Sequence, residues 1–126
     1  IKPDAVERNL VDDIKKIFTK NNLKILNSKK MHISKDEAAE FYKVHQSKPF
    51  YDDLCAYLSS GPIFAIVLEG DNAVALNRKL MGATNPQDAE PDTIRKLYGI
   101  SIDKNSVHGS DSVENAKIEI NFFFKN

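Results

Sequence analysis

The sequence has little of what marks an extracellular, membrane-spanning or polyanion-binding protein. Cys55 is the single cysteine, so no disulfide can form within the chain, and we expect a reducing, cytoplasmic setting. No apolar run approaches the length of a membrane span, and no secretory signal opens the chain. Lysine plus arginine and aspartate plus glutamate number 18 each, so no cationic excess indicates a membrane surface or an obligatory nucleic acid as partner.

Glycine is scarce, and both glycine-rich phosphate loops are absent. The chain has five glycines, none of them in a Gly-x-x-x-x-Gly-Lys-Ser/Thr or Gly-x-Gly-x-x-Gly pattern. A phosphate-binding protein with this sequence would therefore need side chains rather than a glycine cradle. The 41% hydrophobic and 29% charged content is that of a globular protein, and 126 residues suit one domain, 1–126, with one hydrophobic core.

Apolar residues recur at helical or alternating spacing along most of the chain, separated by turn and capping residues. The first half of the chain is predicted to form a helix over 10–18, a strand over 23–33, a helix opened by a capping box of Ser34 and Glu37, and a short helix over 51–59. A strand over 62–68, buried on both faces, follows, and then a helix capped by Asp71 and ended by Gly82. The last part is predicted as a polar loop over 83–92, a short edge strand over 106–108, and a helix opened by a second capping box from Asp111 to Glu114.

The first four residues, Ile1 to Asp4, read as the end of a strand that enters a turn, and we expect the rest of that strand upstream of Ile1. With this strand included, the order becomes β-α-β-α-β-α-β with small extra helices. Such an order predicts an α+β domain of the ferredoxin-like type, a βαββαβ antiparallel sheet with helices packed on it.

His108 is the best candidate for chemistry because a turn and a helix come directly after it. Gly109 to Ser112 forms the turn into the last predicted helix, so His108 lies just ahead of a helix N-terminus. Free amides and the positive end of the helix dipole attract anions there, and a neutral imidazole has a lone pair that can act as a nucleophile. A loop histidine beside an ordinary N-cap is the alternative, and the position alone does not separate the two.

Side chains that could bind phosphate are scattered along the sequence, each beside a predicted turn or helix end. They are the cations Lys2, Arg78 and Arg95, with Thr84 and Asn105 as polar partners. Taken singly, none of them is better explained as a ligand than as a solvated surface residue, which is the commoner fate of lysine and arginine.

Other candidates for chemistry are weaker. The three histidines are scattered, and the acidic pair at 52–53 has no further ligands at a recognised metal spacing. The histidines are His32, His45 and His108. Cys55 lies on an apolar helix face and is interpreted as core rather than as a nucleophile. Tyr42 and Phe50 could pack in the core or form a stacking platform, and the pattern alone favours the core.

Six segments together resemble the nucleoside diphosphate kinase family, in the family's order and over essentially the whole chain. They are Ile1-Lys2-Pro3-Asp4-Ala5-Val6, Lys48-Pro49-Phe50, Ser60-Gly61-Pro62, Gly82-Ala83-Thr84-Asn85-Pro86, Thr93-Ile94-Arg95 and Asn105-Ser106-Val107-His108-Gly109-Ser110-Asp111-Ser112. The last segment contains Asn-x-x-His-Gly-Ser-Asp, the active-site signature of that family.

The resemblance implies a nucleoside diphosphate kinase that moves the γ-phosphoryl group from a nucleoside triphosphate to a diphosphate, by a ping-pong mechanism through phosphorylated His108. It implies that Glu119 orients the imidazole and that Ser110 is a hydrogen-bonding neighbour. It assigns Lys2, Tyr42, Arg78, Thr84, Arg95 and Asn105 to the phosphates and ribose, and Phe50, Leu54 and Ile102 to the base. Lys2 is also counted as catalytic. Mg²⁺, held mainly by the nucleotide's phosphates, is implied in the same way.

The slot assigned to the base is apolar, which predicts broad base and sugar specificity. The sequence also departs from the commoner family pattern. Asn9 and Asp12 stand where glycine is usual, and both residue types tolerate turns and caps. Lys96-Leu97 replaces a frequent Gly-Asp, which puts any salt bridge of that aspartate in doubt.

A homo-oligomer is implied by the resemblance, and the short tail after Phe124 leaves tetramer and hexamer both open. The alternative function is a catalytically inactive nucleotide-binding regulatory module on the same fold. The joint presence of Lys2, Arg95, His108 and Glu119 argues against it.

Overall fold

The computed structural model describes residues 1–124, and most of its regular structure is helical. The elements are α1 (Pro3–Glu7), α2 (Val11–Lys20), β1 (Lys24–Met31), α3 (Lys35–Phe41), α4 (Tyr51–Leu58), β2 (Ile63–Glu69), α5 (Ala73–Met81), α6 (Ile94–Tyr98) and α7 (Val113–Phe123), with 3₁₀ turns at Lys43–His45 and Pro86–Asp88. None of the helices within residues 1–124 is both long and apolar enough to cross a membrane.

The two strands form an antiparallel sheet on which the helices pack. Lys24 lies opposite Glu69 and Met31 opposite Ile63, with an irregularity in the register between Ile25 and Asn27. This arrangement is consistent with the ferredoxin-like α+β fold that the sequence predicts.

Beyond the sheet's two strands, Ile1 pairs with the middle of β2. Ile1 and Phe64 exchange both backbone hydrogen bonds, at 2.7 and 3.1 Å, as directly opposed residues of antiparallel strands do. The prediction that β2 is buried on both faces is wrong. Only Ile63 and Ala65 of this strand are buried, since helices cover one face more fully than the other.

The buried hydrophobic side chains fall into two clusters. The first cluster comprises Ala5, Ile14, Phe18, Leu23, Met81, Ile94 and Val107. The second comprises Ile33, Ala38, Tyr42, Cys55, Leu58 and Ile63. Val107 and Tyr42 belong to different clusters, and both lie next to His108 in sequence or in space. His108 therefore lies where the two clusters meet.

Of the three helix N-caps predicted from the sequence, one is confirmed and two are wrong. Ser34 and Glu37 form the predicted capping box at the start of α3. Asp71 does not cap α5, because the helix begins one residue later, after Asn72 with a φ of 51°. The predicted box from Asp111 to Glu114 is also wrong. The hydroxyl of Ser112 accepts from the amide of Asn115, whose side-chain amide donates to Asp111.

The predicted edge strand over 106–108 is absent from the described structure. Ser106 has a φ of 75°, which no extended strand allows, and the Val107 amide donates across it to the Asn105 carbonyl at 2.9 Å. Asn9, where glycine is usual, also takes a positive φ of 61°, as its tolerance of turns predicts.

Gly82 supplies the first testable position. It ends α5 with a φ of 87°, and a Cβ there would lie 2.5 Å from the Thr93 Oγ1 atom. We expect Gly82→Ala to lower the free energy of unfolding by about 2 kcal/mol or more, because both the backbone conformation and the contact penalise a side chain. Urea unfolding measures this. Gly61→Ala is the matched control, since its Cβ would only meet the Pro3 Cβ at 3.5 Å. Equal losses of unfolding free energy in the two variants would show that the positive φ and the contact with Thr93 do not make Gly82 special.

Candidate active site

His108 is held between a buried turn and the last helix. Its Nε2 atom lies 2.7 Å from the Oε1 atom of Glu119, in the second turn of α7, and the Ser110 hydroxyl donates to Glu119 Oε2 at 2.7 Å. Both carboxylate oxygens are thus engaged. With Nε2–H donating to the carboxylate, the tautomer inferred from this hydrogen bond leaves a lone pair on Nδ1.

Aromatic rings flank the imidazole on the side of α3. The Phe41 ring lies 5.0 Å from that of His108 at 72°, and the Tyr42 ring lies 5.9 Å away at 85°. Tyr42 is only 3% exposed, and this burial raises the pKa of its hydroxyl, with the Cys55 and Glu119 charges as smaller causes. Its phenol therefore remains a neutral donor beside the imidazole.

The backbone after His108 lies close against α5. A Cβ on Gly109 would come within 2.5 Å of the Asn77 side-chain nitrogen and 2.6 Å of Met81 Cε. A larger residue at this position would require the side chains of Asn77 and Met81 to shift, so glycine allows the His108 loop to lie close to α5.

A second group of polar side chains is buried beside this loop. The Lys2 ammonium donates to Asn105 Oδ1 at 2.9 Å, and the Asn105 amide donates to the Thr84 carbonyl at 2.9 Å. Lys2 is 6% exposed and Asn105 1%. Burial lowers the pKa of Lys2 from 10.5 to about 8, and repulsion from Arg95 adds to this.

Arg95 completes this cationic group from α6. It is 8% exposed, and its guanidinium donates to the Gly82 carbonyl at 3.0 Å and to the Val107 carbonyl at 2.8 Å. Burial, followed by repulsion from Arg78, lowers the pKa of Arg95 to about 10, so it stays charged at neutral pH. Its Nε atom is buried without a partner among residues 1–124. Two cations thus sit next to the His108 loop, bonded to neutral oxygens.

The remaining predicted residues are not joined to this hydrogen-bonded group. Arg78, the Thr84 side chain, Leu54 and Ile102 make no side-chain hydrogen bond to it within residues 1–124, and Arg78, Thr84 and Ile102 are exposed. Phe50 is 44% exposed, so the pattern that favoured a core position for it is wrong. A row of tilted rings connects it to the site, because the Phe50 ring lies 6.5 Å from that of His45, which lies 6.1 Å from that of Tyr42.

Several residues at the site were given no role by the sequence. Asp4 and Ser106 hydrogen-bond to each other, Asn77 contacts Gly109, and Phe41 contacts the imidazole. Their positions in the chain offered one usable signal. Each is adjacent to, or two residues from, a residue to which the resemblance already gave a role.

A histidine with a free ring nitrogen, in a loop bound by two buried cations, is suited to the transfer of an anionic group such as a phosphoryl. A family model described as nucleoside diphosphate kinase matches residues 1–126. A nucleoside diphosphate kinase of a Nitratiruptor species is 55% identical over 124 residues, which cover 98% of this chain and 90% of that protein. The chain therefore belongs to the nucleoside diphosphate kinase family, and it is a phosphotransferase that acts on nucleotides.

Solved structures agree with this membership. The Aquifex aeolicus nucleoside diphosphate kinase, in an orthorhombic crystal form, matches with a TM-score of 0.97 at 37% identity, covering 100% of this chain and 92% of that one. A halophilic nucleoside diphosphate kinase from Halobacterium salinarum in complex with CDP matches with a TM-score of 0.94 at 43% identity, covering 100% of this chain and 84% of that one. The predicted ferredoxin-like fold and the enzyme class are confirmed.

The lowered pKa of Lys2 gives a prediction for stability. Below pH 8 the folded and unfolded chains both carry the charge, and the cost of burying it is fully present. Between pH 8 and 10.5 the folded chain has lost a proton that the unfolded chain keeps, so the Lys2 contribution to stability rises with pH. Lys2→Met has no group that titrates there. The unfolding free energy of the native sequence minus that of Lys2→Met should rise across this window, by a few kcal/mol at most.

Urea unfolding at a series of pH values measures that difference directly. If it stays flat from pH 8 to 10.5, the pKa of Lys2 is not lowered by folding. Lys104→Met, which removes an exposed lysine near the same loop, is the control and should show no such rise.

Proposed function

We propose that this chain transfers the γ-phosphoryl group between nucleotides through a covalent phosphate on His108. The observation that carries the proposal is the 2.7 Å contact from His108 Nε2 to Glu119, which leaves Nδ1 with a lone pair beside the cationic group. Nδ1 attacks the γ-phosphorus, the bond to the β–γ bridging oxygen breaks, and the nucleoside diphosphate leaves with that electron pair.

The second half-reaction reverses the first with a different nucleotide. A terminal oxygen of the acceptor's β-phosphate attacks the same phosphorus, the P–N bond breaks, and the imidazole recovers its lone pair. One site serves both nucleotides in turn, so the first product must leave before the acceptor enters, and the kinetics are ping-pong.

Charge neutralisation is the main contribution of the surrounding side chains. In the proposed site, the buried cations Lys2 and Arg95 face the phosphoryl oxygens, and Asn105 is held by its bonds to Lys2 and Thr84. Such donors are already oriented before the nucleotide arrives, so little reorganisation is needed in the transition state. Arg78 and Tyr42 complete the phosphate and ribose contacts, and the Thr84 hydroxyl joins them.

Base recognition rests on stacking and apolar contact. Phe50 is 44% exposed and free to take a base on its ring, with Leu54 and Ile102 as apolar walls. Stacking on an aromatic ring contributes roughly 1–3 kcal/mol and tolerates any base, because every base has a π-face. Purine and pyrimidine nucleotides, ribo and deoxy, are therefore all substrates. The CDP bound by the Halobacterium salinarum relative, a pyrimidine nucleotide, supports this breadth.

Mg²⁺ enters this scheme with the nucleotide. Magnesium is commonly held by substrate phosphates and few protein carboxylates, and it would neutralise phosphate charge when bound. The residues beside His108 fit that mode. Both oxygens of Glu119 are engaged, the neighbouring side chains are cationic or neutral, and within residues 1–124 no group of three or more His, Cys, Asp or Glu is placed to hold a metal ion.

The assembly and setting complete the proposal. Large apolar side chains are exposed at Leu97, Ile100, Val113 and Ile118, which supports a homo-oligomer, a hexamer or a tetramer. The single cysteine, Cys55, is buried and unpaired, which supports a reducing setting such as the cytoplasm.

His108→Ala tests the covalent route. We expect turnover to fall by several orders of magnitude while nucleotide binding persists, because the nucleophile itself is removed. Incubation with γ-labelled triphosphate should leave acid-labile, base-stable label on the native sequence and none on the variant. His32→Ala removes an exposed histidine and is the control. A His108→Ala protein that kept more than about a tenth of the activity would rule out this mechanism, and an unlabelled native chain would favour the inactive regulatory module.

Glu119→Gln tests the orienting carboxylate. The imidazole ring gains positive charge as the P–N bond forms, and a carboxylate on Nε2 stabilises that charge. We expect the single-turnover rate of His108 phosphorylation to fall roughly tenfold to a hundredfold. Glu114→Gln, on the first turn of the same helix and exposed, should keep the native rate. Equal rates in both variants would show that Glu119 does not act on His108.

A further inference from the structure

Ser106, two residues before His108, has an uncommon backbone conformation. Its φ is 75°, its side chain is fully buried, and the Val107 amide bonds to the Asn105 carbonyl across it. Residues 105–107 therefore form a γ-turn with a positive φ at its centre, a form that is rare and strained for a residue with a side chain. Such a conformation persists only where the surrounding structure holds it.

Asp4 supplies a direct hold on that turn. The Ser106 hydroxyl donates to Asp4 Oδ2 at 3.1 Å, and Arg8 donates to the same oxygen at 3.2 Å. The Tyr57 hydroxyl donates to the other oxygen, Oδ1, while the Asp4 amide donates back to the Tyr57 oxygen at 2.9 Å. The Asp4 side chain is 3% exposed. Besides Ser106, the carboxylate is thus held by two further donors, Arg8 and Tyr57.

The same turn links the two halves of the proposed site. The Lys2 amide donates to the Ser106 carbonyl at 2.8 Å, and the Lys2 ammonium bonds to Asn105. His108 follows the turn after a single residue, Val107, whose carbonyl binds Arg95. A rotation of the backbone at Ser106 would therefore move the side-chain amide of Asn105 on one side of the turn and the imidazole of His108 on the other.

We propose that Asp4 is a positioning residue that, through the Ser106 hydroxyl, holds the γ-turn and so aligns His108 with the buried cations. It touches neither the imidazole nor the phosphates. The inference rests on the proposed function, since alignment matters only if His108 is the nucleophile. Displacing a reacting atom by about 1 Å can cost on the order of a hundredfold in rate, so a loosened turn should be visible in the chemical step.

Four variants test this: Asp4→Asn, Ser106→Ala, Ser106→Gly and the double variant Asp4→Asn/Ser106→Ala. The readout is the single-turnover rate of His108 phosphorylation at saturating γ-labelled ATP, divided by the number of sites that can be labelled, well below each melting temperature. This rate excludes unfolded protein. We expect each single variant to be slowed about tenfold.

Ser106→Gly separates alignment from stability. Glycine takes a positive φ without strain, so this variant should melt at a higher temperature than Ser106→Ala and yet phosphorylate as slowly, because both lack the hydroxyl. The double variant should be no slower than the slower single variant, since each change already breaks the contact between Asp4 and Ser106 that holds the turn. Asp13→Asn, an exposed acid in the first turn of α2, should match the native sequence in rate and melting.

Two results would overturn the inference alone while the native chain is still labelled. Native rates per site in both Ser106 variants would show that the hydroxyl only stabilises the fold. A double variant whose loss equals the product of the single losses would show that the residues act independently.

An unlabelled native chain would refute the proposed function and this inference with it. If Asp4→Asn fails to fold, the rates of the two Ser106 variants decide.

Discussion

The segment 105–108 is held by hydrogen bonds that reach it from distant parts of the chain. Its carbonyls accept from Lys2 and Arg95, and the side chain at its start bridges Lys2 to Thr84. These groups are largely buried, and a buried polar group that loses its partner costs about 1–3 kcal/mol. The segment cannot shift without breaking several such bonds together. The loop before His108 is therefore fixed although it belongs to no helix or strand.

Those bonds also explain the charge at the site. The hydrogen bonds of Lys2 and Arg95 go to neutral oxygens, so the cost of taking two cations out of water is not repaid by a bonded carboxylate. The lowered pKa values of both groups express this cost. An arriving polyphosphate supplies the missing negative charge. The free protein thus gives up stability in exchange for a binding site that needs little rearrangement, a trade common at active sites.

Much of the regular structure could be predicted from residue type and spacing. The capping box at Ser34 was predicted correctly because side-chain hydrogen bonds decide it, and the end of α5 at Gly82 because glycine favours a positive φ. The start of α5 and the strand over 106–108 were not, because a left-handed backbone at Asn72 and Ser106 decides where those elements begin or fail. Residue types other than glycine signal such a conformation only weakly. The cap of α7 was misplaced by one residue, because the Ser112 hydroxyl accepts from the helix amide.

The residues of the site were also predictable only in part. A histidine before a helix is visible in the sequence, whereas the contact of Lys2 with Asn105 joins residues 103 positions apart, which no spacing rule connects. The resemblance to a family placed the two in one site. It gave no reason to single out the Asp4 carboxylate, whose partners Ser106 and Tyr57 are set by tertiary packing.

The division of the core into two clusters has a consequence for dynamics. Helices α3 and α4 pack through one cluster, and Val107, beside His108, belongs to the other. Separately packed units open locally with their own free energies, below that of global unfolding. A nucleotide bound as proposed, on Phe50 and against His108, would span both units and tie their opening together. Amide hydrogen exchange in α3 and α4 would then slow on binding without a change in average structure, and the substrate itself would hold the two units together.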